Sequence, residues 1–272
     1  MKKSFTTAEL MICRASKELR NGEIAFIGTG LPMLAAMLAK RTHASDLVVI
    51  FEAGTIDSKL KDLPGSVGDP RCVYGSTTCS GLFDVFGTIL QRGRVDIGFL
   101  GGAQCDMYGN LNSTAIGDYW RPKVRLPGSG GAGDIAALAK RTVIIMKHER
   151  RRFPPRVDYL TSVGWIEGGD SRKRVGLKRG GPVTVVTDLC VMKFDERAKR
   201  MYVAEVHPGV SFERIQRETG FPLDFSRARM TPEPTEEEIK LIREEIDPER
   251  VILRRLDKGK RGGKGREDEQ RG

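Results

Sequence analysis

Ile24-Ala25-Phe26-Ile27-Gly28-Thr29-Gly30-Leu31-Pro32, followed by Val48-Val49-Ile50-Phe51-Glu52-Ala53-Gly54-Thr55, is the stretch that decides the fold. Each half opens on a short apolar run stopped by glycine, the pattern of a strand buried on both faces of a parallel sheet. Between them Leu31 to Lys40 reads as a helix, with Pro32 in the first turn, where its missing N–H costs nothing. Strand, glycine turn, helix, strand is one βαβ unit with a right-handed crossover. The second strand ends on Glu52, an acid facing the crevice where open α/β sheets bind ligands. Gly54 lets the chain turn sharply just beyond it.

The same grammar runs outward in both directions. Thr6-Thr7-Ala8-Glu9 is a capping box for a helix carrying Leu10, Met11, Ala15 and Leu19, stopped by Asn21-Gly22. Leu82 to Leu90 reads as helix, Val95 to Leu100 as strand, Ile135 to Lys140 as a short helix and Thr142 to Met146 as strand. Val183 to Val186 and Leu189 to Phe194 are further strands, the latter forming a hairpin with Arg200 to Ala204 through an Asp195-Glu196 turn. Pro234 to Glu245 is the last helix, with Pro248 beyond its end. The expectation is a single open-sheet α/β domain over residues 1–255, its central strands mostly parallel and flanked by helices.

Composition narrows the function classes. The chain has 272 residues and a formal charge of +10, which invites a nucleic-acid reading. Much of that excess lies in a Gly/Lys/Arg-rich stretch over 256–272 without apolar residues, which reads as a solvated tail. No aromatics are interleaved there to stack on bases, so nucleic acid is not the expected partner. Five scattered cysteines without metal spacing fit reduced thiols in the cytoplasm, a Cys72–Cys79 loop disulfide being the alternative. Three histidines and this cysteine pattern predict no metal site. No apolar run approaches the roughly 20 residues of a membrane span, and the N-terminus lacks a secretory core.

Two glycine clusters can carry chemistry. Gly28-Thr29-Gly30 stands at a helix start, where free N–H groups favour an anion. A dinucleotide fingerprint would place another glycine where Met33 stands, so an oxyanion or phosphate fits the turn better. Gly128-Ser129-Gly130-Gly131-Ala132-Gly133-Asp134 is the densest glycine run and also precedes a helix; a flexible surface loop is the alternative reading. Asp106-x-x-Gly109-Asn110-x-Asn112 reads first as a loop shaped by side-chain-to-backbone bonds. Lys147-His148-Glu149-Arg150-Arg151-Arg152-Phe153 can bind an acidic group or form a solvated charge run.

Taken together these blocks resemble the β subunit of class I CoA-transferases, most closely that of the glutaconate type, over roughly residues 5–250. The resemblance is carried by Gly28-Thr29-Gly30-Leu31-Pro32, Gly101-Gly102-Ala103-Gln104, Asp106 to Thr114, Ile116-Gly117-Asp118-Tyr119 and Gly128 to Ala132. Lys147 to Phe153, Lys193-Phe194-Asp195-Glu196 and Leu241 to Pro248 extend it. It implies the class I CoA-transferase fold, coenzyme A as substrate with no tightly bound cofactor, and an α subunit completing an α2β2 or larger heteromer. Glu52 would be the nucleophile; Gly28, Gly30, Gly130, Gly131 and Ala132 would hold the oxyanion and CoA; Gln104 and Asn112 would belong to a substrate loop. The family pattern is Glu-Ser-Gly or Glu-Asn-Gly, whereas this chain has Glu52-Ala53-Gly54, losing a hydroxyl that could bond the carboxylate.

The implied reaction moves CoA from an acyl-CoA, dicarboxylic by closeness to the glutaconate enzymes, to a free carboxylate through a glutamyl-CoA thioester on Glu52. Two alternatives stand beside it. One is a CoA-thioester hydrolase of the same superfamily, which opens a ring in steroid degradation. The other is a non-enzymatic module using the basic tail to contact RNA. The segment Tyr159 to Ile166, with Trp165, is read either as part of a subunit interface or as core.

Overall fold

The computed structural model describes residues 4–254. The tail expected over 256–272 lies outside the described residues. In chain order the strands are β1 (Ile24–Phe26), β2 (Val48–Ile50), β3 (Thr55–Ile56), β4 (Thr78–Cys79), β5 (Ile97–Leu100), β6 (Gln104–Cys105), β7 (Leu111–Asn112), β8 (Ala115–Ile116), β9 (Val124–Arg125), β10 (Arg141–Ile145), β11 (Pro182–Val186), β12 (Cys190–Phe194), β13 (Met201–Val206) and β14 (Arg229–Met230). Ten of them form one sheet in the order β14-β13-β12-β11-β10-β5-β1-β2-β3-β4. The central five, β11-β10-β5-β1-β2, are all parallel. Antiparallel strands extend the sheet at both ends: β12 and β13 beyond β11, β3 and β4 beyond β2. β6–β7 and β8–β9 are separate two-stranded hairpins.

Alternation along each strand divides the core into two layers. Ala25, Ile27, Val49, Phe51, Phe99, Val143 and Ile145 pack against α1 (Thr7–Ser16), α2 (Leu31–Thr42) and the C-terminal helix around Ile242 and Ile246. Phe26, Ile50, Leu100 and Ile144 face the other way, onto Val85 and Leu90 of the helix at 82–90 and onto Ile135 and Ala136 of α3 (Ala132–Leu138). Residues such as Ile12, Leu34 and Leu38 are fully buried, each contributing about 2 kcal/mol.

The elements follow local chemistry. Thr6 and Glu9 form the capping box at α1, and Thr235 and Glu238 form another at Glu236–Leu241. The first helix ends at Ser16 rather than at Asn21-Gly22; two short turns follow, and Gly22 takes φ +74. The helix at 82–90 is wound wide, with the Gln91 N–H donating to Phe86 O five residues back. The Asp195 carboxylate accepts from the N–H groups of Arg197 and Ala198, which shapes the β12–β13 turn. All five cysteines are free thiols, so the Cys72–Cys79 disulfide does not form. Among the described residues no helix is long and apolar enough to cross a membrane.

The order β2-β1-β5-β10-β11 reverses direction at β1. Between β1 and β5 the chain leaves the sheet to opposite sides, and this is where a doubly wound sheet opens a crevice at its carboxyl edge.

Candidate active site

Glu52 occupies the tight turn joining β2 to β3. The Gly54 N–H donates to Phe51 O at 3.0 Å, and the Phe51 N–H donates to Thr55 O at 3.0 Å. Gly54 sits at φ +112, and any Cβ there would overlap the Ser80 carbonyl. The Ser80 N–H and hydroxyl both donate to Gly54 O at 3.0 Å, stapling the turn to the neighbouring strand. Since Phe51 packs into the α1/α2 layer, alternation turns Glu52 toward α3 and the helix at 82–90.

The structure brings Glu52 to the second glycine cluster. A Cβ placed on Gly131 would stand 3.3 Å from Glu52 Oε1 and would overlap the Phe86 ring; one on Gly130 would stand 3.9 Å from the same oxygen. Gly131 is the N-cap of α3 and Gly130 takes φ +47, so the carboxylate lies over a glycine-built helix start. The N–H groups of Gly28, Gly130 and Gly131 donate to no carbonyl of the described residues. Glu52 is half-buried and makes no hydrogen bond or ion pair with any described residue. Phe86 packs on Phe26 at 5.1 Å between centroids and forms the apolar wall. Arg172, 3% exposed, donates to Ala136 O and Ala137 O near the far end of α3, anchoring that helix from behind. Burial pushes its pKa down to about 10.

The first glycine cluster stands on the neighbouring strand. Gly30 is the N-cap of α2 at φ +88, and the Ile27 N–H donates to Ile50 O at 3.0 Å. Gly28, Thr29, Leu31 and Pro32 line a cavity of about 640 Å3 together with Gly101, Gly102, Met146, Lys147, Arg152 and Asp188. Its floor is apolar, with Met11, Phe99 and Ile145, and it opens at the β1/β5 reversal. Such clefts at a switch point are the usual ligand sites of this architecture.

Gln104 and Asn112 are placed differently. Both are buried, at 6% and 0% exposure. Asn112 Nδ2 donates to Gln104 Oε1 at 2.8 Å and to Ala115 O at 2.7 Å, while Gln104 Nε2 donates to Asp158. Their polar groups are spent on holding the β6–β7 and β8–β9 hairpins together. Asp106 likewise accepts from Tyr108 N, Asn110 N and Asn110 Nδ2. Burial raises its pKa while these bonds oppose the rise. Trp165 is half-buried, and its indole N–H donates to Pro182 O at 2.8 Å. Its neighbour Leu160 is 44% exposed, so the segment Tyr159–Ile166 contributes to both inside and surface.

Sequence reasoning missed Phe86 and Ser80, which reach the site from a segment with no local mark of it. The basic run was visible, and its arrangement is now defined. His148 is buried between Thr187 Oγ1 (3.1 Å) and Thr219 Oγ1 (2.9 Å). Glu149 pairs with Lys147, Arg151 and Arg152 at 2.7, 2.8 and 3.3 Å. Burial pushes the Glu149 carboxyl up, but its bonds to Lys147 and Arg151 outweigh this and hold it down to about 2.

Comparison with known proteins fits this geometry. The family described as Coenzyme A transferase matches residues 8–218. The chain belongs to the coenzyme A transferase family. It is 44% identical to the β chain of the 3-oxoadipate CoA-transferase of Pseudomonas knackmussii over 241 residues, covering 88% of this chain and 93% of that one. It is also 44% identical to the β chain of the glutaconate CoA-transferase of Acidaminococcus fermentans over 257 residues, covering 92% and 96%. The crystal structure of the Acidaminococcus glutaconate enzyme superposes with a TM-score of 0.87 at 43% identity, over 92% of this chain and 98% of the matched one. Both coenzyme A transferase relatives are β chains, and this chain is the β subunit of a CoA-transferase with the same open-sheet fold.

Proposed function

We propose that this subunit transfers CoA from an acyl-CoA to a free carboxylate with Glu52 as nucleophile. The observation that carries the reading is the Glu52 carboxylate, without an internal partner, held over the glycine start of α3. A Glu52 oxygen attacks the thioester carbonyl, and the carbonyl oxygen takes the negative charge. The C–S bond breaks, leaving an acyl-glutamyl anhydride and CoA thiolate. The thiolate then attacks the Glu52 carbonyl carbon and displaces the acyl carboxylate, leaving a glutamyl-CoA thioester. A new carboxylate reverses both steps. No proton or electron is gained or lost overall.

The chemistry needs oxyanion donors, since a carboxylate is a weak nucleophile. The N–H groups of Gly28, Gly130 and Gly131 are the candidates, each worth about 3 kcal/mol in the transition state. Gly30 and Ala132 set the two helix starts that aim them. Gln104 and Asn112 act by fixing the loop, because their own polar atoms are paired with one another and with the backbone. An α subunit completes the site in a cytoplasmic heteromer, α2β2 or larger. The acyl group is dicarboxylic, as the names of the glutaconate and 3-oxoadipate relatives suggest.

The test is to incubate the heteromer with glutaryl-CoA, treat with borohydride and weigh the peptide containing Glu52. A reductive mass change at Glu52, absent in Glu52→Ala, supports the reading. Consumption of the thioester with Glu52 unmodified replaces it with a hydrolase.

A further inference from the structure

Resting on that reading, we propose that Arg172 is a positioning residue for the reaction: from the far end of α3 it holds the glycine start of that helix against the Glu52 carboxylate. Arg172 lies in the short helix Ser171–Arg174, is 3% exposed and meets no carboxylate among the described residues. Its donors go instead to main-chain carbonyls of three separate segments. Nη1 donates to Val163 O at 3.1 Å and to Gly164 O at 2.8 Å. Nη2 donates to Arg179 O at 2.7 Å, and to Ala136 O and Ala137 O of α3 at 3.2 and 3.4 Å. A buried cation without an anion is costly. Only a planar fork of donors serves carbonyls on several sides at once, which lysine's single ammonium does poorly.

α3 needs such an anchor. It has 7 residues, too few to hold a helix in place by itself. Its start carries no side-chain cap, because Gly131 has none to offer and Glu52 stands over it. Ile135 presses the helix onto the sheet at Gly98, where any Cβ would overlap it. At the other end the Lys140 and Arg141 N–H groups, which would continue the helix, donate to Val95 O and Asp96 O instead. Ala136 O and Ala137 O are thereby left open, and they are the carbonyls Arg172 takes up. A cation there also complements the helix dipole. The opposite side of the clamp is fixed. Asn110 Oδ1 accepts from the Gly164 and Ile166 N–H groups at 2.9 and 3.1 Å, and the Trp165 N–H donates to Tyr108 O at 2.8 Å. A Cβ on Gly164 would overlap the Gly109 main chain. Arg172 therefore ties α3 to a segment that cannot shift, and a slide of α3 would carry Gly130 and Gly131 away from Glu52. A misplacement of about 1 Å can cost a hundredfold in rate.

The experiment measures kcat and KM of the co-expressed heteromer with glutaryl-CoA and acetate, and the rate at which borohydride-trapped label appears at Glu52. It compares wild type with Arg172→Met, Arg172→Lys and Ile246→Ala, the last a core truncation in the C-terminal helix, each checked by thermal unfolding. The expected result is a fall in kcat and labelling rate of roughly ten- to a hundredfold in Arg172→Met, a smaller fall in Arg172→Lys, and a KM within about twofold of wild type. Ile246→Ala should lower the thermal midpoint and keep the wild-type kcat. Arg172→Lys combined with Gly131→Ala should lose less than the product of the two single losses, since both act on one helix start. A multiplicative loss overturns the proposal, as does a rise in KM alone or an equal fall in kcat in Ile246→Ala. If even Arg172→Lys fails to fold, Arg172 is a folding residue and the proposal falls. A wild type that labels at Glu52 no faster than the Arg172 variants defeats this inference alone; one that never labels defeats the reading beneath it.

Discussion

Two turns in this molecule each carry an acid just past a strand, Glu52 after parallel β2 and Asp106 after β6 of an antiparallel hairpin, and they use it in opposite ways. Asp106 is 3% exposed and its carboxylate binds three N–H groups of its own loop. Glu52 binds none, yet it is held in place by main-chain bonds at Phe51, Gly54 and Ser80. The difference separates a carboxylate that builds a loop from one that a loop has been built to present. Rigid presentation by backbone leaves the side chain's own bonding capacity for a substrate.

The sharpest way to break the comparison is to remove each acid. Glu52→Gln should cut CoA transfer by about a thousandfold or more while leaving the thermal midpoint nearly unmoved. Equal residual turnover would remove Glu52 from the chemistry. Gly131→Ala comes next: the added methyl meets Phe86 and crowds Glu52 Oε1. A loss of roughly a hundredfold in kcat is expected, read by initial rates on a variant whose circular dichroism matches wild type. Asp106→Ala should do the reverse of Glu52→Gln, lowering stability by about 3 kcal/mol in urea titration.

A fourth test concerns acid. Burial, with help from His207 and Arg214, pushes the His148 pKa from 6.5 down to about 3. The unfolded chain then takes up a proton that the folded chain refuses. Stability is full above pH 6.5 and falls progressively as the pH drops toward 3. Urea midpoints measured across that window should decline in wild type and decline less in His148→Asn. The smallest effect is expected for Ala53→Ser, which returns a hydroxyl next to Glu52. A change in kcat/KM within about tenfold would mean that the glycines, not this hydroxyl, dominate the site.

The βαβ unit at 24–52, the capping box at Thr6 and the hairpin after Leu189 were legible because their signals are local. Each is written in spacing, a cap or a turn within a few residues. The segment from Asp57 to Ser80 was not legible. Its two-residue strands have no period to read, and their partners are distant: Thr55 pairs with Cys79, and Gly54 is bonded by Ser80. At the site, Glu52 and the glycine starts could be picked out singly. Their meeting could not, because it depends on α3 crossing the sheet and on Phe86 fitting where Gly131 has no side chain. Gln104 and Asn112 show the opposite limit: polar residues beside a site, whose bonds turn inward once the fold is known.

Phe51, fully buried, and Glu52 are consecutive residues just past the end of β2, turned to opposite sides of the sheet. A slip of β2 by a single position would exchange them, driving a charge into the α1/α2 layer and an aromatic ring out of it. The cost of an unpaired buried carboxylate is several times a typical hydrophobic contact. The hydrophobic core therefore proofreads the reactive residue: the packing that buries Phe51 penalises every register in which Glu52 would not face the glycine start of α3.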